Sequence, residues 1–166
     1  MGCDIHMHVE YRHDTNDEWR CGDYFVLLPE STLEKPEYSF VSIYDHRNYD
    51  LFGVLAGVRG SAGNNQIDSP RGLPEDVTDF VREHYEYWGM DAHSCSYLTL
   101  RELIEFDKYD WDDSEEESHI LIPLIDRIKQ RADELNLIYD FYWDGRFRGE
   151  SMRKAENIRI VFWFDN

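Results

Sequence analysis

The chain has 166 residues, of which 42% are hydrophobic and 15% aromatic, and these values predict a single globular domain over residues 1–166 rather than a disordered protein. Its 35 acidic residues outnumber 17 basic ones, giving a formal net charge of −18, which disfavours direct binding to a nucleic-acid backbone because phosphate contacts require Lys and Arg. No apolar run approaches the roughly 20 residues that cross a bilayer and no signal-peptide pattern is present, so we expect a cytoplasmic protein without a membrane partner.

The first predicted strand covers about residues 4–12 and alternates polar with apolar side chains. Successive side chains of a strand point to opposite faces. One face then carries four polar groups: Asp4, His6, His8 and Glu10. Interleaved carboxylates and imidazoles predict a divalent-metal or acid–base site, and imidazole ligands favour Zn²⁺ or Mn²⁺ over Mg²⁺. The alternative interpretation is a solvated strand face.

The next elements are short. Residues 13–17 have the composition of a turn, and residues 19–21 are expected to return as a hairpin partner of the first strand. Two apolar runs follow, residues 24–28 of uncertain type and residues 39–44 as a weak strand. Apolar side chains three and four apart in residues 49–57 predict a short helix that ends near its glycine.

Residues 57–74 form a long irregular stretch that is rich in glycine and proline. Loops of this length inside compact domains are usually functional or mobile. Guanidinium groups beside an aromatic ring suit a nucleotide, because Arg holds phosphate and the ring stacks on the base. The candidate ligand-binding residues are Arg47, Tyr49, Arg59 and Arg71. In the alternative interpretation, each of these arginines pairs with one of the many acidic residues.

Three helices are predicted in the second half of the chain. Residues 74–89 give an amphipathic helix that begins at a proline, with His84 as a core histidine on its apolar face. Thr99 and Glu102 form a capping box that begins a second helix. Residues 118–135 predict a long helix whose proline fits only in the first turn.

Two further stretches could complete the candidate site. Asp91 and His93 lie in a polar run, residues 91–97, that reads as a loop and supplies carboxylate, imidazole and hydroxyl groups. Residues 158–164 are β-branched and aromatic, which predicts a central strand. If that strand pairs with the first one, the carboxylate of Asp165 could approach either end of the polar stripe.

These elements predict an α+β fold in which a small, mainly antiparallel sheet is packed by about four helices. The sheet would contain the N-terminal hairpin and the C-terminal strand. Residues 137–143 are also strand-like, and the acidic residues 105–117 suit either a solvated face or a partner-binding surface. Homo-oligomerisation is compatible with this sequence.

The spacing Asp-x-His-x-His from Asp4 to His8 is similar to the opening motif of the amidohydrolase and the polymerase-and-histidinol-phosphatase superfamilies of metal-dependent hydrolases. The resemblance covers five residues, and the chain is much too short for the barrels of those superfamilies. It therefore reflects shared ligand chemistry rather than common descent.

A second resemblance spans nearly the whole chain. It rests on the opening MGCDIH, the segment YDLFGVLAGVR at residues 49–59, RGLP at residues 71–74, DAHS at residues 91–94 and the ending VFWFDN at residues 161–166. These segments resemble those of a group of small proteins encoded by bacteriophages and bacteria. The resemblance implies a phage or mobile-element setting, hence the host-cell cytoplasm, and it carries no particular activity.

The leading hypothesis from the sequence is a metal-dependent hydrolase, such as a phosphodiesterase, that acts on a nucleotide or another phosphate-bearing small molecule and could serve phage counter-defence. Its expected residues are Asp4, His6 and His93 as metal ligands, His8, Glu10 and Asp91 as catalytic groups, and Arg47, Tyr49, Arg59 and Arg71 as ligand-binding groups. One alternative is a binding protein that sequesters a nucleotide without catalysis. Another is an acidic DNA mimic that inhibits a host protein.

Overall fold

A computed structural model describes residues 2–60, 65–109, 120–135 and 154–166. The elements in chain order are β1 (Ile5–Tyr11), β2 (Arg20–Cys21), β3 (Tyr24–Leu27), β4 (Tyr38–Val41), α1 (Tyr49–Ala56), α2 (Asp79–Trp88), β5 (His93–Thr99), α3 (Leu100–Tyr109), α4 (Ile122–Glu134) and β6 (Ile158–Phe164). Short 3₁₀ turns cover Gly89–Asp91 and Ala155–Asn157. Helices packed on small antiparallel sheets confirm the predicted α+β class.

The main sheet has the strand order β2-β1-β6-β5, and β3 and β4 form a separate two-stranded sheet. All the pairs in the main sheet are antiparallel, with Ile5 opposite Phe164 at one end of the β1–β6 pair and Tyr11 opposite Ile158 at the other. Every residue of β6 is buried. The central position predicted for this strand is confirmed, because only an apolar strand tolerates neighbours on both edges and layers on both faces.

The two faces of the main sheet pack against different layers. One face contacts α1, α3 and α4 through a large apolar cluster that includes Met7, Phe52, Leu124 and Phe162. The opposite face contacts α2 through a smaller cluster built around Val81 and Trp163. The polar residues of β1 lie on this second face, since Met7 and its alternate neighbours already point into the large cluster.

Local sequence signals fix several helix ends. The side chain of Asn48 accepts hydrogen bonds from the amides of Asp50 and Leu51 in the first turn of α1, and Gly57 ends that helix in the left-handed conformation with φ 68°. At the start of α3, the Glu102 carboxylate accepts from the Thr99 amide at 2.8 Å, and the Glu102 amide donates to the Thr99 hydroxyl at 3.2 Å. The predicted capping box is therefore confirmed.

The loop prediction for residues 91–97 is wrong, because this stretch begins strand β5. His93 pairs with Phe164 and Thr99 with Arg159, with an irregularity between His93 and Ser96 that interrupts the alternation. The strand is stabilised by pairing with β6, and such tertiary pairing overrides the turn preference of Asp and Ser.

Two predicted helix starts are too early. The first helix begins at Asp79 rather than Pro74, since Thr78 has extended backbone angles of φ −63° and ψ 150°. The long helix begins at Ile122, and its Pro123 lies in the first turn as predicted. In both cases an apolar pattern continues beyond the residues with helical backbone, because buried side chains also occur in the preceding turn.

Some predictions fall on parts of the chain outside the described residues. The strand-like residues 137–143 lie there entirely, as do most of the acidic residues 105–117 and the first two residues of the predicted helix 118–135. Within the described ranges, no helix combines the length and apolar character needed to cross a membrane.

Candidate functional site

Two of the three polar residues on this face of β1 are buried rather than solvated. His8 and Glu10 each have 0% exposure. The His8 ring lies between aromatic side chains of three elements, at centroid distances of 4.8 Å from Phe40, 5.6 Å from Phe80 and 5.4 Å from Trp163. A buried imidazole requires partners for both ring nitrogens, and the structure supplies them.

A directed chain of hydrogen bonds runs through His8. The Trp88 indole N–H can only donate, and it donates to Nε2 of His84 at 3.3 Å. Nδ1 of His84 must then carry the proton that it donates to Nε2 of His8 at 2.7 Å. Nδ1 of His8 in turn donates to Asp23 Oδ2 at 2.7 Å. Each histidine is therefore neutral, and the chain ends on a buried carboxylate.

The surroundings of His84 agree with this assignment. Burial, followed by electrostatic repulsion from His8 and His6, lowers the pKa of His84 from 6.5 to about 4, while Asp23 opposes the shift. The His84 ring is consequently uncharged at neutral pH. The sequence interpretation of His84 as a core histidine with satisfied hydrogen bonds fits this arrangement.

Glu10 belongs to a buried ion pair at the other end of β1. Its Oε2 accepts from the Arg159 guanidinium at 2.8 Å, and its Oε1 accepts from the Thr78 amide at 2.7 Å. Arg159 also donates to Asp76 at 2.8 Å. These bonds tie the start of α2 to the sheet, so Glu10 has structural partners at both carboxylate oxygens.

His6 lies at the opposite end of the same strand, next to Asp165. Its Nε2 is 3.1 Å from Asp165 Oδ2, and the two side chains are 19% and 18% exposed. Asp165 Oδ1 accepts from the Asp4 amide at 3.0 Å, and the Asp165 amide donates to the Asp4 carbonyl at 3.2 Å. Pairing of β1 with β6 thus brings Asp165 to the polar stripe, as the sequence analysis infers.

Asp4 holds Arg47 in a two-bond pair. The guanidinium donates to the two carboxylate oxygens at 2.8 and 2.7 Å, and these bonds lower the pKa of Asp4. The guanidinium also lies against Gly2, where a Cβ would be only 2.5 Å from Nη1 of Arg47. A residue larger than glycine would displace the pair.

Arg59 and Tyr49 complete this end of the sheet. The Arg59 guanidinium is 6.0 Å from the Tyr49 ring centre, and Arg59 has a positive φ of 51° that non-glycine residues rarely adopt. It lies beside the Cys3 thiol, whose pKa is raised by burial and lowered less strongly by Arg59. Arg59 forms no ion pair with a carboxylate of the described residues.

Three contacting pairs lie around this end of the sheet: His6 with Asp165, Asp4 with Arg47, and Arg59 with Tyr49. We call these six residues the Asp4 cluster. Three of the four arginine and tyrosine residues expected to bind a ligand are among them. The fourth, Arg71, pairs instead with Asp68 at 2.9 Å and Glu102 at 2.6 Å. For Arg71, and also for Arg47, the alternative interpretation of pairing with acidic residues describes the observed contacts.

The expected ligand set of Asp4, His6 and His93 is not assembled. His6 is opposite Trp163 on β6, whereas His93 is opposite the next residue, Phe164. Neighbouring strand residues point to opposite faces, so the two histidines lie on different sides of the sheet. The His93 ring stacks on Phe164 at 6.0 Å, and Asp91 is exposed in the 3₁₀ turn before β5.

In the parts of the chain that the structure describes, no group of three or more His, Cys, Asp or Glu side chains is arranged to hold a metal ion. Within the Asp4 cluster, the side chains that could serve as metal ligands are Asp4, His6 and Asp165. A metal ion bound by Asp4 would compete with Arg47, because the guanidinium donates to both carboxylate oxygens.

A cavity of about 490 Å³ opens at the other end of β1, next to Asp76 and Trp19. Its remaining lining includes Asp17, Glu18 and Asp79. This acidic lining repels anions, and none of the expected ligand-binding residues is part of it. The cavity is therefore not the expected nucleotide site.

Sequence reasoning missed Asp23 and Trp88, the two ends of the hydrogen-bond chain through His8. A signal for Asp23 existed in the hairpin, because Glu10 pairs with Cys21 and the following turn carries Asp23 back beside the strand. No comparable signal pointed to Trp88, whose role depends on how α2 packs across the sheet.

Comparisons with protein-family models, with curated proteins and with solved structures find no match to this chain.

Proposed function

We propose that the Asp4 cluster binds a phosphate-bearing small molecule, such as a nucleotide, and hydrolyses it. The observation that carries this proposal is the pairing of His6 with Asp165 at 3.1 Å, next to the arginines of the cluster. A carboxylate that fixes one nitrogen of a partly exposed imidazole is the arrangement by which enzymes prepare a general base.

The chemistry follows from the assignment of protons on His6. Asp165 as a carboxylate can only accept, so Nε2 of His6 carries the proton and Nδ1 has the lone pair. No group of the described residues bonds to Nδ1. In the proposed reaction, Nδ1 takes a proton from a water molecule that attacks phosphorus, and Asp165 stabilises the resulting imidazolium while the leaving oxygen departs.

The arginines would hold the phosphate. Arg59 is free of carboxylate partners within the described residues, and Arg47 would exchange the Asp4 carboxylate for a phosphate of similar two-oxygen geometry. The Tyr49 ring, 37% exposed, would stack on a base. Positive charge close to the phosphate also stabilises the negative charge that develops on its oxygens during displacement.

The divalent metal ion expected from the sequence remains part of this proposal as an optional cofactor. In place of the general-base route, Zn²⁺ or Mn²⁺ would take Asp4 and Nδ1 of His6 as ligands when phosphate draws Arg47 away from Asp4, since the single lone pair of the His6 ring cannot serve as base and as ligand at once. Bound there, the ion would polarise a phosphoryl oxygen and acidify water. Metal analysis of the purified protein and of His6→Ala and His93→Ala variants tests this point, and equal metal content in all three would argue against it.

The test of the hydrolase is an assay of bis(p-nitrophenyl) phosphate and a nucleotide panel, with and without Zn²⁺ or Mn²⁺. Loss of a general base lowers kcat by about 10²–10⁴-fold, so we expect His6→Ala and Asp165→Asn to lose most of the turnover. His46→Ala is the matched control, since His46 is 67% exposed and pairs with Asp45 outside the cluster. Equal turnover by His6→Ala and His46→Ala would refute the proposal.

A protein that sequesters a nucleotide without catalysis would use the same arginines. The chemical state of the recovered nucleotide distinguishes it from an enzyme. Incubation with nucleotide followed by heat denaturation would release unaltered nucleotide from a sequestering protein and hydrolysed product from an enzyme. The acidic-mimic alternative stays a prediction, since most of residues 105–117 lie outside the described part of the chain. It predicts that removing those charges abolishes activity while His6→Ala has no effect.

A further inference from the structure

The β3–β4 hairpin exposes an unusual amount of apolar surface. Of the nine large hydrophobic side chains that are exposed in the described residues, six lie between residues 25 and 41: Phe25, Val26, Leu27, Leu33, Tyr38 and Val41. Scattered exposed apolar residues are ordinary, whereas a contiguous group marks an interaction surface. We call residues 24–41 the hairpin arm.

Among the described residues, contacts with the remainder of the protein cover the base of the arm. Phe25 and Phe40 are cross-strand partners, and they pack on Phe80 of α2 at centroid distances of 5.4 and 5.8 Å. The next pair on the same face, Leu27 and Tyr38, extends past the helix and is 57% and 60% exposed. The arm is therefore anchored at one end and open at the other.

The second face and the strand edges of the arm are also open. Val26 and Val41 are 49% and 44% exposed, and only Tyr24 on this face is held, by Arg131 at 4.1 Å. Within the described ranges, the backbones of β3 and β4 pair with each other and with no other strand. Each strand thus has an edge with unpaired amides and carbonyls, which is the template for adding another strand.

The rim of the arm is acidic. Glu30, Glu34 and Glu37 are exposed in its connecting loop, and the only basic side chain there, Lys35, pairs with Glu37 at 3.1 Å. An apolar centre with a charged rim is the usual composition of a binding surface. The negative rim selects a positively charged partner.

We propose that the hairpin arm binds a partner protein through an extended segment that is apolar at its centre and flanked by Lys or Arg. The segment adds as a strand to an open edge, its apolar side chains cover Val26 and Val41 or Leu27 and Tyr38, and its basic residues face the acidic rim. A second copy of this chain fits less well, because it would bring identical acidic rims together on proteins of net charge −18.

The test uses a fluorescent nine-residue peptide in which five Val are flanked by two Lys at each end, and a matched peptide with Glu in place of each Lys. We expect the Lys peptide to bind, to bind more weakly as salt rises, and to protect amides of residues 24–41 from hydrogen exchange. The double variant Val26→Lys with Val41→Lys should weaken binding by about tenfold or more. Tyr87→Lys is the control, since Tyr87 is 83% exposed on α2.

Several results would overturn the proposal. Equal binding of the Lys and Glu peptides would remove the role of the acidic rim. Protection of amides elsewhere, or equal loss of binding in Tyr87→Lys, would remove the role of the arm. A dimer detected by light scattering that the double variant converts to monomer would assign the surface to a second copy of the chain.

Discussion

Lowering the pH from 7.5 to 4.5 should destabilise the protein through His84. The pKa of this residue is lowered to about 4 in the folded protein, chiefly by burial, against 6.5 for an unperturbed histidine. Between these two values the unfolded chain binds a proton that the folded protein does not. Since the slope of stability with pH has the sign of that difference, stability falls as pH drops through 6.5 towards 4.

The magnitude follows from the difference between the two pKa values. At 1.36 kcal/mol per pKa unit, the difference corresponds to about 3 kcal/mol below both values. The His84 ring is only half-buried, so solvent screening reduces the expected loss to on the order of 1–2 kcal/mol. Protonation of His84 would also turn its Nε2 from an acceptor into a donor, so that the hydrogen bond from the Trp88 N–H would be lost. This loss is a structural cause of the expected destabilisation.

The measurement is urea unfolding at a series of pH values for the wild type, His84→Asn and His46→Asn. Acid also reduces the repulsion among the many carboxylates, so the difference between variants at each pH is the informative quantity. The wild type should lose stability relative to His84→Asn as pH falls, whereas His46→Asn should follow the wild type. A wild-type-minus-His84→Asn difference that stays constant from pH 7.5 to 4.5 would refute the reasoning.

Three further predictions concern stability. Glu10→Gln leaves Arg159 buried with only a partly exposed carboxylate partner, and should cost about 2–4 kcal/mol in urea unfolding; a loss below about 1 kcal/mol would show that the pair is weakly coupled. Asn48→Ala removes the cap of α1 and should cost about 1 kcal/mol, while an unchanged midpoint would contradict the capping role. Gly60→Ala places a Cβ 2.5 Å from the Gly53 Cα and should lower the free energy of unfolding by about 1–3 kcal/mol. If thermal unfolding shows Gly60→Ala to be as stable as the wild type, the close approach of Gly60 to Gly53 does not limit the size of residue 60.

The sequence predicts the fold best where the pattern is local. Strand β1, helix α1 and strand β6 follow from the spacing of their apolar residues and from Gly57 at a helix end. Strand β5 could not be found in this way, since the irregularity between His93 and Ser96 breaks its alternation. Its formation depends on an open edge of β6, which no local property of residues 91–97 encodes.

The candidate site is likewise predicted from the sequence only where the pattern is local. Alternation correctly places His6 and His8 on one face of β1, but it carries no information about what covers that face. Helix α2 covers it in the structure, so that His8, which the sequence analysis expects as a catalytic group, is a buried link between Asp23 and His84. The position of His93 on the other side of the sheet likewise follows from pairing with β6, not from the spacing of its neighbours.

The antiparallel pairing of β1 with β6 joins residues near the two ends of the sequence, with Ile5 opposite Phe164. Such long-range pairing raises contact order and slows folding. During synthesis on the ribosome, β1 emerges long before β6, and the backbone groups that pair with β6 stay unpaired until then. A nascent chain would therefore offer the histidine-bearing strand to chaperones or to other chains until translation has passed β6.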